Sequence, residues 1–441
     1  MNKIIILIII LIFFNNCSFD NKTGIWTGSD KIVKNKNKNQ KNLELVFKTK
    51  NSIIKPKELS LDQLIKIDDP KSFVKWSERY QNRFNYISNV SFANEGNYKK
   101  LQKVSNSEIN KNILIYNNNL FFSDSKGNIG VFSLEQNQLI YKFNFYKKKL
   151  KKTKKNIKLI MNENSIIAAD NFGYVYSIDF KNKKLNWAKN FLVPFRSNLK
   201  ILNNILFLSD EKNKIILLDV NNGKKIDELY TQPSKTVSNF ESNLAIDKKD
   251  NLLFLSTSGS LYSLNFINQK TINWIQNFKT ENEIIFKGNP ITVFNNKILV
   301  STKNNITLLN ENGLRMWDKN IQSSISPIIS GNIIFTINDD NYLILIDSQN
   351  GQIIYSQSIY FILNRDFRKN FKKKFKKVSQ IFVNKNKLFL ISDNSYFIEL
   401  NIEKQIKTNS IKKNPFNIST DIIFLNKEMV FISSKKIYKV N

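Results

Sequence analysis

Chemistry on a protein needs nucleophiles, bases or metal ligands at fixed spacing, and this chain holds few of them. It has no histidine, which removes the commonest general base, metal ligand and proton shuttle. It has one cysteine, Cys17, so neither an intrachain disulfide nor a cysteine metal cluster can form. Aspartates such as Asp170, Asp219 and Asp347 sit in short polar turns between apolar runs and read as turn formers, because a short carboxylate bonds its own backbone there. No cluster of carboxylates points to a metal site. The sequence therefore predicts a protein that is not an enzyme and takes no cofactor.

The single thiol stands at an informative place. Lys3 is followed by an apolar run from Ile4 to Phe14, and Cys17 comes directly after it. The run is too short to span a bilayer as a mature helix but suits the apolar region of a secretory signal. Together with the cysteine it resembles a bacterial lipoprotein signal. That resemblance implies removal of residues 1–16 and acylation of Cys17, each buried CH₂ contributing about 0.8 kcal/mol to membrane attachment. Ser18 in place of aspartate implies the periplasmic side of the outer membrane, in bacteria that use the aspartate retention rule. Asn15 and Asn16 depart from the small residues usual before the cysteine, and a plain signal peptide with a chance cysteine is the alternative. Residues 17–90 are expected to form a partly disordered tether. "KIVKNKNKNQKN" is polar, charged and aperiodic, while "LSLDQLIKI" and "FVKWSERYQNRF" suit short helices or extended packing arms.

The formal charge is +32, from 68 basic and 36 acidic residues. This fits a polyanionic partner, or a composition in which Lys, Asn, Ile and Phe rise together. The bases are spread along the chain, and a secretory signal leads away from the cytoplasm, so no nucleic-acid partner is expected. The densest basic runs are 145–156 and 367–380. In the second, Phe367, Phe371 and Phe375 share one face of a helix. Such a helix lies on anionic lipid, or packs its Phe row on the protein and leaves the lysines solvated.

These features need a scaffold, and from residue 91 the chain repeats one. The second residue of a polar turn, always asparagine, recurs at Asn119, Asn164, Asn204, Asn251, Asn296, Asn332, Asn386 and Asn426, at spacings of 36 to 54 residues. Each unit divides into four short runs separated by Asn, Asp or Gly. The middle runs are almost wholly apolar, as sheets packed on both faces require. The fold class is all-β: residues 91–441 form an eight-bladed β-propeller of four-stranded antiparallel blades, with seven blades the alternative count. The last unit supplies only three strands before Asn441, so "YKKLQKVSN" (98–106) is expected to close it as the fourth.

Several units end on a tryptophan, as in "DFKNKKLNW" (Trp187), "NFINQKTINW" (Trp274) and "NGLRMW" (Trp317). This resembles the tryptophan-docking repeat of pyrroloquinoline-quinone-type eight-bladed propellers, in which the indole is an inter-blade staple. Signal, tether and repeats together resemble the BamB-type lipoproteins of the outer-membrane β-barrel assembly machinery. The resemblance implies a periplasmic scaffold, monomeric within a hetero-complex, that binds the POTRA domains of the central barrel protein through one propeller face. The family's docking loops correspond to "VPFRSNLKIL" and "SNFESNLAID". They place Phe195 and Arg196 at an apolar–arginine pair, and Asn239 and Glu241 at an acidic pair whose first member is here an amide. The alternatives are another envelope protein or ligand as partner, or a quinone-dependent dehydrogenase.

Overall fold

In a computed structural model of the protein the described residues are 18–19, 26–27 and 54–441, with breaks at 61–64, 94–96, 147–149, 151, 164, 234–239, 267–269, 281–282, 368–374, 404 and 415–416. Cys17 and Asn239 lie outside them. The chain forms two compact units, Met1–Ile53 and Ile54–Asn441. In the first, Ser18–Phe19 pairs antiparallel with Trp26–Thr27.

The second unit contains eight four-stranded antiparallel sheets, numbered here as blades 1–8 in chain order. Blade 1 runs from Leu114 to Asn144 and blade 7 from Val378 to Lys413. Blade 8 holds Ile423–Leu425, Glu428–Ser433 and Lys436–Val440, and its fourth strand is Tyr98–Lys103, paired antiparallel with Lys436–Val440. The expected closure of the ring by the N-terminal strand is therefore present.

Local chemistry explains the strands. In four blades the first two strands meet at a two-residue turn with both residues left-handed: Asn117/Asn118, Asn203/Asn204, Asn295/Asn296 and Asn426/Lys427, with φ between 42° and 66°. That is the hairpin geometry matching strand twist, and asparagine tolerates it. The second and third strands are buried on both faces, as in Ile205–Ser209 and Lys214–Asp219. Neighbouring blades share this apolar surface: Phe121 and Val131 of blade 1 pack with Leu159, Ile166 and Tyr176 of blade 2. Aspartates act on their own backbone at the later hairpins. Between the second and third strands of blade 2, Asp170 Oδ1 accepts from the amides of Phe172 (2.8 Å) and Tyr174 (2.9 Å). Between the third and fourth strands of blades 3 and 6, on the side of the first hairpins, Asp219 and Asp347 accept from the residues two ahead.

The tryptophans cross between blades. Trp187 of blade 2 donates its indole N–H to the Val220 carbonyl of blade 3 at 2.8 Å, and its ring lies on Gly223. Trp274 reaches Glu311 of blade 5 beside Gly313, and Trp317 reaches Ser348 of blade 6 beside Gly351. A β-bulge opposite each tryptophan, such as that at Ser177/Ile178, turns the strand end toward the next blade. The glycines have positive φ, and a Cβ at Gly223 would clash with the Trp187 ring. At the corresponding turns of blades 1 and 2, left-handed Asn137 and Lys183 serve instead.

The segment before the closing strand does not repeat, yet it bonds every blade. Lys57 and Ser356 exchange backbone hydrogen bonds at the outer strand of blade 6. The chain then crosses the face that carries the first hairpins. Asn332 of blade 6 donates to the Lys66 carbonyl, and Asn426 of blade 8 to that of Phe73. Trp76 exchanges bonds with Ile115 of blade 1, and Met161 of blade 2 donates to Ser77. Lys200 of blade 3 is ion-paired to Glu78. Ile246 of blade 4 donates to Arg83 and Val293 of blade 5 to Phe84, while Val90 donates to Val383 of blade 7. Left-handed Gln81 and Asn85 make the turn, and Asn85 Nδ2 donates to Leu244 and Ile291, both at 2.9 Å. Residues 66–90 thus form a plug in the ring.

Of the helix expected over 367–380, residues 368–374, Phe371 among them, lie outside the described residues, and residues 375–380 are not helical. A helix spans Ile359–Phe367 with Ile359, Ile362 and Leu363 buried, and Val378 already begins blade 7. Phe375 is buried between Tyr360 and Tyr396, at 6.0 and 6.5 Å between centroids.

Candidate functional site

On the face opposite the first hairpins, the loops joining one blade to the next surround a funnel of about 880 Å³. Its walls come from most of the ring: Lys111, Lys158, Arg196, Glu241, Gly288, Ser326, Gln380 and Asp421 all line it. Its floor is Arg79 and Tyr80 of the plug.

Arg79 binds Glu241, which leads into blade 4, and Asp421, which leads into blade 8, the latter at 3.0 Å. Those blades face each other across an eightfold ring, so the guanidinium stands at the axis. Lys158 of blade 2 adds a second ion pair to Glu241 at 2.6 Å, with its side chain only 6 % exposed. Burial pushes the Glu241 carboxyl up, but Arg79 and then Lys158 more than offset this and hold it well below the usual carboxylate range. Lys158 is shifted down, first by burial and then by the like charge of Arg79, against the pull of Glu241. One carboxylate thus serves two cations. Lys200, buried in blade 3, is likewise lowered by burial while Glu78 opposes the shift.

Of the residues expected to bind a partner, Arg196 and Glu241 both line this funnel. The Arg196 side chain faces Glu211 at 3.6 Å, its Nε is buried without a hydrogen-bond partner, and its carbonyl accepts from Lys158. Phe195 is 3 % exposed and packs edge-on to Phe191, in the core that also holds Trp187. Its ring supports the Arg196 loop from below. Asn239 lies outside the described residues, while Phe240 beside it is 37 % exposed and carries the Lys287 ammonium over its ring at 5.5 Å.

Sequence reasoning missed the floor. A signal existed: Lys158 and Lys200 are charges in innermost strands otherwise apolar, which calls for anionic partners inside the channel. "WSERYQNR" supplies Glu78 for Lys200, while the partner of Lys158 is Glu241 in the loop leading into blade 4.

Among the described residues, no three aspartate, glutamate or cysteine side chains gather as a metal-binding group. The two carboxylates nearest the axis are both engaged by Arg79. This donor set does not fit a metal-held quinone.

A family model described as outer membrane protein assembly factor BamB matches residues 125–357. No curated protein matches the chain. Among solved structures, BamB from Moraxella catarrhalis aligns with a TM-score of 0.58 at 10% identity, covering 77% of this chain and 99% of that one. The computationally designed Ika8 protein aligns with a TM-score of 0.54 at 12% identity, covering 77% and 98%. At these identities the two structures share the fold.

Proposed function

The chain belongs to the outer membrane protein assembly factor BamB family, and on that premise we propose that it is a non-catalytic scaffold of outer-membrane β-barrel assembly. Its open funnel face docks the POTRA domains of the central barrel protein, and acylated Cys17 holds it on the periplasmic side of the outer membrane. The observation that carries this reading is the asymmetry of the ring. One face has its first hairpins bonded by the chain's own plug, and the other presents a charged funnel at which Arg196 and Glu241 converge. Arginine and aromatic side chains at the centre of a contact carry most interface energy, and here Arg196, Phe240 and Lys287 surround the opening.

Capture of partners from detergent-solubilised envelopes tests this, comparing the native chain with Arg196→Glu and with Arg196→Gln as the milder change. Barrel-assembly components retained by the native chain and lost with Arg196→Glu, at unchanged melting temperature, support docking at the funnel. Their absence from the native capture would favour a different envelope partner. The dehydrogenase reading is disfavoured by Arg79, whose charge occupies the axial position between the carboxylates.

A further inference from the structure

The strand pair that closes the ring is built from like charges. In register, Lys99 stands opposite Lys439 and Lys103 opposite Lys436. Like charges directly opposite across two strands repel. Glu428 relieves one pair by binding Lys439 at 2.9 Å. The other has no such relief among the described residues. A register shift between Lys100 and Lys103 brings Lys100 to the same cluster, and its ammonium, followed by that of Lys103, pushes the Lys436 pKa down.

The neighbouring blade continues the pattern. The outer strands of blades 7 and 8, "KTNSIKK" and "YKKLQK", hold six lysines and no acidic residue. The six other outer strands together hold six basic and three acidic residues. Lys412 of blade 7 and Tyr98 of blade 8 line one shallow recess, so the two strands border a common surface. Lysines on an edge strand also deter edge-to-edge pairing, but one or two per strand serve that end, and it does not need lysines facing them on the third strand. A composition rich in lysine does not explain why the charges oppose each other at the seam on which closure depends.

We propose that this seam is a docking surface for the phosphate headgroups of an anionic bilayer, with Lys100, Lys103 and Lys436 at its centre and Lys407, Lys412 and Lys413 beside it. Lysine is a compact, mobile point charge, suited to a layer of phosphates rather than to one shaped ligand. Neutralisation at the seam couples lipid contact to closure of the ring, because a ligand that binds only the closed state stabilises it. This rests on the register of the closing strands and not on the docking assigned to the funnel.

The test uses the full chain with Cys17→Ser, so that no acyl group supplies attachment, and cosedimentation at low salt with phosphatidylglycerol or phosphatidylcholine vesicles. The expected result is binding to the first and not the second. Lys100→Glu/Lys103→Glu weakens it by about tenfold or more, and Lys184→Glu/Lys189→Glu on blade 2, an equal change of charge, does so far less. In parallel, the native melting temperature rises with added salt, and the seam variant, now with opposite charges in register, melts higher at low salt. That second reading also shows the variant is folded. Equal loss in both variants, or seam-independent binding, overturns the proposal. Stabilisation by inorganic phosphate without vesicle binding overturns the bilayer as occupant.

Discussion

The two mouths of the ring use their polar groups in opposite ways. At the plugged mouth, residues 66–90 bond to all eight blades, through backbone groups at seven of them and the Glu78–Lys200 pair at blade 3. At the open mouth the loops present exposed or half-buried side chains to the funnel, as Lys111, Phe240 and Lys287 do. A partner on the plugged mouth has to displace a network already satisfied, whereas one on the open mouth displaces water. Arg79 belongs to both, since its backbone lies in the plug and its guanidinium floors the funnel.

Arg79→Met is therefore the largest expected perturbation. It leaves Asp421 without its cation and Glu241 with only Lys158. Removing one partner from a buried charge network costs roughly 3–5 kcal/mol. The Arg79 side chain is 15 % exposed, but Glu241 and Asp421 are 34 % and 31 % exposed, so solvent screening brings the expected loss below that figure. Urea unfolding measures it. A change under about 1 kcal/mol would mean that the plug rests on the ring without bracing it.

Gly223→Ala probes the plugged side at the rim. The added Cβ meets the Trp187 ring, and the backbone there has φ of +69°. Overpacking and a left-handed alanine together predict a loss of about 2 kcal/mol. In a Trp187→Ala background the clash disappears, so the two changes should be markedly non-additive in a double-mutant cycle.

The ion pairs at the funnel floor predict a direction with pH. The folded Glu241 carboxyl lies well below its ordinary value, so its contribution is full above about pH 4.3 and is lost as pH falls through the folded value. The difference in melting temperature between the native chain and Glu241→Gln should be constant near neutrality and shrink below pH 4.3. A difference that grows on acidification would contradict the assigned ion pairs.

The blades were legible because their information is local. The asparagine turns, the doubly apolar strands and the terminal tryptophans recur, and each unit carries its own instructions. Strand Tyr98–Lys103 was legible from an arithmetic deficit of one strand. The plug was not, because residues 66–90 hold too few regular repeats for a period, and their order comes from bonds to blade residues 39 to 353 positions away. At the funnel, Arg196 and Glu241 were found through resemblance of two loops. Phe195 shows the limit of that approach, since an aromatic beside an arginine can serve the core as readily as a contact. Arg79 itself was missed because the lysines in the innermost strands signal anionic partners in the channel, not the cation that gathers two carboxylates there.

The smallest expected effect on stability separates the two mouths most cleanly. Lys287 stands at the open mouth with its ammonium over the Phe240 ring, and Lys427 stands exposed at the plugged mouth in the first hairpin of blade 8. Neither forms an ion pair among the described residues, so either change to glutamine should alter stability by no more than about 0.5 kcal/mol. Their effects on partner capture should differ. Losing a rim charge slows association and weakens its dependence on salt when the partner's surface is of opposite sign. Lys287→Gln should therefore lower the association rate with solubilised barrel-assembly components at low salt, and Lys427→Gln should leave it unchanged. Equal rates for both variants would place the contact away from the funnel, and a loss confined to Lys427→Gln would move it to the plugged mouth.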